Sequence, residues 1–180
     1  MPKKNVSPTP VLYPVPAAMV TCGPAAQPNI ITVAWTGVVC GDPPMLSIAI
    51  RPSRFSNELV RTAQEFVVNL PNAELLDQVM FCGTKSGRQV DKFQACRLTP
   101  ESASVVATPL IAECPVNLEC VVTQVLPLGA HDLFLGRIVA VHMDESVLDE
   151  KGEFDMARTQ PIAYARGKCY VLNVTSAQKM

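Results

Sequence analysis

The sequence predicts a mainly β fold in which short antiparallel strands build a barrel or sandwich. Three observations predict it. Sixteen prolines and nine glycines cut the 180 residues into short pieces. Most of those pieces are rich in β-branched or alternating apolar residues. The few helical stretches do not alternate regularly with strands, as a doubly wound parallel sheet would require.

The strands come first. Residues 29–35 read N-I-I-T-V-A-W and residues 45–50 read M-L-S-I-A-I, both of ordinary strand length. Residues 65–70, E-F-V-V-N-L, are closed by Pro71. Strand alternation over residues 117–125 puts Leu118, Cys120 and Val122 on one face and Val121, Thr123 and Val125 on the other. Residues 133–142 form the longest segment, with Leu133, Leu135, Val139 and Val141 alternating with Phe134, Ile138 and Ala140. Residues 168–174 close the set. Helices are expected over residues 56–64, opening on Ser56, and over residues 72–81, opening on Asn72 and ending before Gly83. Residues 91–95 suit a single turn. With no internal repeat, low-complexity tract or linker, residues 1–180 read as a single domain. Residues 1–13 are an extended N-terminal segment and residues 174–180 a C-terminal tail.

Composition narrows the function. Hydrophobic residues make up 48% and charged residues 17%, and mean hydropathy is +0.21, too apolar for a disordered chain. A net charge of -1 argues against a nucleic-acid or membrane-surface binder. No apolar run approaches the roughly 18 residues of a spanning helix. Lys3 and Lys4 have no apolar core behind them, and Pro8, Pro10, Pro14 and Pro16 break up the neighbouring stretch; no signal peptide and a cytoplasmic location are expected. The seven cysteines contain no C-x-x-C pair. They read as reduced thiols, mostly small buried hydrophobes, and no metal site is expected.

The sequence contains no G-x-G-x-x-G, no G-x-S-x-G and no H-E-x-x-H, and its only histidines are His131 and His142. Thr84 precedes Lys85 where a phosphate-binding P-loop has glycine. A bound organic cofactor is therefore the expected carrier of any chemistry. Four segments suit one. Arg51-Pro52-Ser53-Arg54-Phe55-Ser56 puts two guanidinium groups and two hydroxyls at a helix start, which suits a phosphate; a polar turn capping the helix is the alternative. Residues 82–93 hold Cys82, Gly83, Ser86, Gly87, Arg88 and Lys92, with glycines that let backbone N–H groups approach a ligand; a solvated surface loop is the alternative. Thr32, Val33, Ala34 and Trp35 can place small groups, amides and an indole beside a flat ring, or simply form a core strand. His131 sits at a turn where it can face a redox site, or where Asp132 and backbone groups merely satisfy it.

In this order and spacing, these segments resemble the flavin reductase-like family, whose fold is the FMN-binding split barrel, and within it the flavoredoxins. The matching stretches run from about residue 14 to residue 170 and include residues 28–37, 43–45, 50–56, 66–71, 82–93, 113–120 and 129–136. The resemblance implies a six-stranded antiparallel Greek-key split barrel with flanking helices, a homodimer, and one FMN per subunit. It implies that Thr32, Val33, Ala34 and Trp35 lie along the flavin ring and ribityl chain. Arg51, Ser53, Arg54 and Ser56 would form one side of the phosphate site, and Cys82, Gly83, Ser86, Gly87, Arg88 and Lys92 the other. His131 would lie on the nicotinamide side of the ring, nearest to hydride transfer from NADH or NADPH. The resemblance implies one of two functions: an NAD(P)H-dependent flavin reductase, or a flavoredoxin-type electron carrier that holds FMN tightly. Where the family often has Gly-Arg-Asp, this chain has Gly87-Arg88-Gln89.

Overall fold

The structure, a computed structural model, describes residues 1–174; apart from Val174, the expected C-terminal tail lies outside the described residues. Residues 1–12 carry no helix or strand and are exposed. The strands are β1 (Val15–Pro16), β2 (Ala18–Cys22), β3 (Asn29–Val33), β4 (Thr36–Gly41), β5 (Pro44–Ile50), β6 (Glu65–Leu70), β7 (Pro100–Glu101), β8 (Leu110–Ile111), β9 (Val116–Pro127), β10 (Asp132–Met143), β11 (Ile162–Ala165) and β12 (Lys168–Val171). The helices are α1 (Phe55–Ala63), α2 (Leu76–Thr84) and α3 (Lys92–Cys96).

The main sheet is wholly antiparallel and has seven strands in the order β3-β2-β6-β9-β10-β5-β4. Its edge strands, β3 and β4, are joined in the chain by Ala34 and Trp35 alone. Laid flat, seven strands would separate the edges by about 29 Å at the usual spacing of about 4.8 Å. Three Cα steps reach at most about 11 Å. The sheet must therefore curl until its edges meet at Ala34 and Trp35, and the Ala49 amide donates to the Trp35 carbonyl (2.9 Å), carrying the β4–β5 register one pair past Thr36 and Ile48.

The expected fold class stands, with corrections to its strands. The sheet has seven strands rather than six. Residues 18–22 and 36–41 were not expected as strands. Every residue of β2 is buried, so it lacks the alternation of a one-faced strand, while β4 is an exposed edge strand with a glycine at its second position and another at its end. Residues 168–171 do form a strand, but in a separate three-stranded sheet, β1-β11-β12. Alternation in β9 is interrupted: Leu135 pairs with Gln124 and Gly136 with Val122, leaving Thr123 as a bulge. That extra residue flips the face, and Val125 joins Leu118, Cys120 and Val122 on the barrel interior.

The barrel interior is filled by Val20, Ile31, Ile48, Phe66, Cys120 and Phe134, among others. Alternate residues of β2 and β3 point outward: Met19 and Ile30 pack with Val79 of α2 and Phe93 of α3 in a second core. α2 begins after a 3₁₀ turn at Ala73–Leu75 capped by Asn72 and runs through Gly83, past its expected end. Asp91 caps α3 through the Gln94 amide. On the far side of the sheet, the buried Glu119 carboxylate accepts from the Ser104, Val105 and Val106 amides and from the Ser104 hydroxyl, and lies 2.6 Å from His142 Nε2. Burial works to raise its pKa, but the hydrogen bonds from Ser104, His142 and the loop amides outweigh it and hold the carboxyl at about 2.

Gly136 lets β10 cross Phe66 closely. A Cβ there would stand 2.6 Å from Phe66 Cζ and 3.1 Å from Cys120 Cβ, and both neighbours are fully buried. Gly136→Ala is expected to destabilise the protein by about 1–3 kcal/mol through overpacking, read as a lowered midpoint in urea unfolding.

Candidate functional site

Two contiguous cavities open at the barrel seam. The larger, about 410 Å³, lies against residues 31–35 of the seam, the end of β5, the outer side of α2 and the His131 turn. The smaller, about 200 Å³, lies between the start of α1 and the loop from α2 to α3. Ile31, Arg54 and Gly83 line both. The strands and helices position these groups: β3 runs beneath both cavities, and the Thr32 hydroxyl ties it to α2 by donating to the Val79 carbonyl (2.6 Å). Gly83 packs closely on the same side chain, since a Cβ there would stand 3.3 Å from Thr32 Cβ.

The smaller cavity is an anion cradle. Ser53 and Arg54 lie just before α1 and Ser56 in its first turn, and the N-cap residue Arg54 provides no side-chain cap. The helix start thus presents N–H groups and the positive end of its dipole. Lys85, Ser86 and Gly87 come from the facing loop and Lys92 from the start of α3. Lys92 is 3% exposed. Its ammonium donates to the carbonyls of Ile30 and Cys82 and has no carboxylate partner among the described residues. Burial lowers its pKa, and Arg54 adds to that, while the nearby Cys82 and Cys22 thiols oppose it. An ammonium has three donors, so one remains for a ligand. Asn29 sets the shape of the cradle: its Nδ2 donates to Ser56 Oγ (2.8 Å), and a Cβ on Gly87 would fall 2.0 Å from its Oδ1. Only glycine fits at that position while Asn29 keeps its place.

The larger cleft has a mixed polar and apolar lining. Trp35 is 43% exposed, and its ring lies 4.5 Å from that of His131 at a tilt of 48°. The His131 imidazole is pushed below its usual pKa by burial and then by Arg51, with Asp132 partly opposing. Asp132 does not satisfy His131. Its carboxylate accepts from Asn57 Nδ2 and pairs with Arg61 Nη2, each at 2.9 Å, which ties the turn to α1. These hydrogen bonds hold the Asp132 carboxyl below its usual range.

Most of the expected site residues come together. Thr32, Val33, Ala34, Trp35, Arg51, Arg54, Gly83 and His131 line the larger cleft. Ser53, Arg54, Ser56, Cys82, Gly83, Ser86, Gly87 and Lys92 line the smaller cavity. Two arginines differ from expectation. Arg51, expected on the phosphate side, lines only the larger cleft, next to His131. Arg88 lines neither cavity: its guanidinium pairs with Glu58 and lies 4.5 Å from the Phe55 ring centroid. The Cys82 thiol also lies 3.9 Å from the Cys96 sulfur. Sequence reasoning missed Asn29, whose signal was a polar residue opening an apolar strand. It also missed Tyr13, Tyr164 and Cys169, which reach the larger cleft from the small sheet and the segment before it; no local pattern marks them.

The sequence matches the family described as flavin reductase like domain over residues 11–173. The chain belongs to the flavin reductase-like family. It is 35% identical over 144 residues to an uncharacterised protein of Archaeoglobus fulgidus, a match that covers 80% of this chain and 81% of that one. Among solved structures it is similar to the flavoredoxin of Desulfovibrio vulgaris (Miyazaki F), with a TM-score of 0.90, 26% identity and coverage of 98% and 96% of the two chains. It is also similar to an FMN-binding protein from Thermus thermophilus with bound 1-cyclohex-2-enone, with a TM-score of 0.84, 28% identity and coverage of 99% of each chain. Family membership and the curled antiparallel sheet agree on a split-barrel architecture.

The environment of His131 makes a direct prediction. Its NMR titration midpoint is expected below the ordinary value of about 6.5. Arg51→Ala should move that midpoint up, since it removes a repelling cation.

Proposed function

We propose that this member of the flavin reductase-like family binds FMN and passes electrons through it, with NADH or NADPH as donor. The observation that carries the cofactor reading is the buried Lys92 ammonium, which faces a cavity with Arg54 and the start of α1 and has no protein carboxylate among the described residues. A buried cation of that kind calls for an anion, and a cavity of about 200 Å³ joined to a larger cleft lined by Trp35 suits a phosphate attached to a ring. The T. thermophilus neighbour supports FMN as that ligand. Lys92, Arg54, Ser53 and Ser56 would hold the phosphate. Thr32, Ala34 and Trp35 would lie along the ring, and Gly83 and Gly87 would let backbone amides approach.

A bound flavin supplies two-electron hydride chemistry. The protein's part is to bind and orient. His131, whose pKa burial and Arg51 lower, and Trp35 wall one side of the cleft. Arg51, without a carboxylate partner among the described residues, stands beside them to meet a negatively charged donor. No side chain is required to move a proton. The likeness to flavoredoxin favours a second reading, an electron carrier that keeps FMN and exchanges electrons with protein partners.

FMN is expected in heat-released extract by mass spectrometry, and no flavin bound after excess FMN would overturn the reading. Arg54→Ala should weaken FMN binding by roughly 1.5–3 kcal/mol, the range for a charge-assisted hydrogen bond, with riboflavin binding nearly unchanged. Anaerobic mixing with NADH or NADPH should bleach the flavin absorbance, and His131→Asn should slow that step with FMN retained. No bleaching by either nicotinamide would leave the electron-carrier reading.

We also propose a homodimer. Val38 and Val39 on edge strand β4, and Val141 and Met143 at the end of β10, are exposed apolar residues, more than a monomer gains from leaving in water. Sedimentation is expected to give twice the 19.4 kDa chain mass; a monomer that retains FMN would reject the proposal.

A further inference from the structure

Cys82 and Cys96 stand apart among the free cysteines. Their Sγ atoms lie 3.9 Å apart. Cys82 is in the C-terminal part of α2, and Cys96 is the last residue of α3. The segment between them carries Ser86, Gly87 and Lys92, so the pair brackets one whole wall of the smaller cavity. Cys82 is buried, whereas Cys96 is half-buried and within reach of small solutes. Both thiols are pushed above their usual pKa by burial, and the Lys92 ammonium pulls both part of the way back. Directly after Cys96 the chain turns out of the helix through Arg97, whose backbone is left-handed at φ 54°. The helix thus ends at Cys96, with the Arg97 and Leu98 amides donating back to the Gln94 and Phe93 carbonyls.

We infer that Cys82 and Cys96 are an oxidisable dithiol: joining their sulfurs closes the segment between them into a loop and clamps the wall of the anion cavity. The sulfurs must approach from contact to the roughly 2.05 Å of a disulfide. With a small organic disulfide as oxidant, the Cys96 thiolate attacks one of its sulfurs, the S–S bond breaks, and one small thiol leaves. The Cys82 thiolate then attacks Cys96 Sγ in that mixed disulfide and releases the second small thiol. The protein gives up two protons and two electrons, and the oxidant leaves as two thiols. The cross-link restricts the chain between the two residues, and Lys92 is hydrogen-bonded to the carbonyl of one of them, Cys82. The effect on cofactor retention rests on the FMN reading; the bond itself does not.

The test treats the purified FMN-loaded protein with oxidised glutathione and maps its peptides without reduction. The expected result is a peptide pair joined through Cys82 and Cys96, lighter by two hydrogens, reversed by dithiothreitol and absent in Cys96→Ser and Cys82→Ala. Oxidised wild type should melt higher and release FMN several-fold more slowly than reduced wild type, while both variants release it at one rate under either condition. Full alkylation of both cysteines after oxidation, glutathione left on Cys96, or linkage to other cysteines would overturn the dithiol. A linked peptide with unchanged FMN release would overturn the clamp. A protein that takes up no FMN refutes the cofactor reading, and the linked peptide still decides the dithiol.

Discussion

The joint at Ala34 and Trp35 governs the architecture. Two residues bridge the two edge strands of a seven-stranded sheet, so the sheet cannot lie flat. Curling buries the inner faces of β2, β3, β5, β6, β9 and β10 against one another in one apolar interior. It also leaves a seam where the backbone passes from one edge to the other. There the β4–β5 register reaches only one pair further, with the Trp35 carbonyl accepting from the Ala49 amide. The larger cleft lies along it, lined by residues 31–35, the end of β5, α2 and the small sheet. Site and fold therefore have one origin in chain topology.

Electrostatics decides how the two cavities differ. Burying an ammonium is costly unless hydrogen bonds compensate. Lys92 is held by two carbonyls, one from β3 and one from α2, which fastens the helical layer to the barrel and keeps a positive charge at the cavity wall. Arg88, with its own glutamate and an aromatic face, is already satisfied at the surface. In the larger cleft the carboxylate nearest His131 is committed to α1 through Asn57 and Arg61. The imidazole therefore feels burial and Arg51 more than Asp132, and its pKa falls below the usual value.

The opposite face of the barrel is covered by loop instead of helix, and polar groups make that possible. Asn69 donates to the Met19 carbonyl and accepts from the Ile111 amide and from Asn117, stitching β2, β6, β8 and β9 together. Glu119 gathers three consecutive loop amides. A loop laid on a sheet needs its backbone N–H groups satisfied, and these two side chains do that where no ladder can. The helices are thereby left to the side that carries the cavities.

The sequence by itself determined the class of the fold, because the period of apolar residues and the placement of proline and glycine report strand and turn locally. It also determined the chemistry on offer: an Arg-Ser segment at a helix start, a glycine-bearing basic loop, and a tryptophan near a strand end. Five of the six expected strands are in the main sheet close to their expected bounds. β2 went unseen because burial on both faces erases alternation, and β4 because an exposed edge with glycines resembles a loop. Only the tertiary structure decided which of the basic residues face the anion cavity. Arg51, Arg88 and Lys92 read alike in sequence, yet one lines the ring cleft, one pairs with Glu58, and one is buried on two carbonyls. The face of Val125, the partner of Asp132, and the arrival of Tyr164 and Cys169 at the cleft were likewise decided by a bulge, a helix packed nearby and a distant sheet. Each depends on neighbours far away in the chain, and local periodicity carries no record of them.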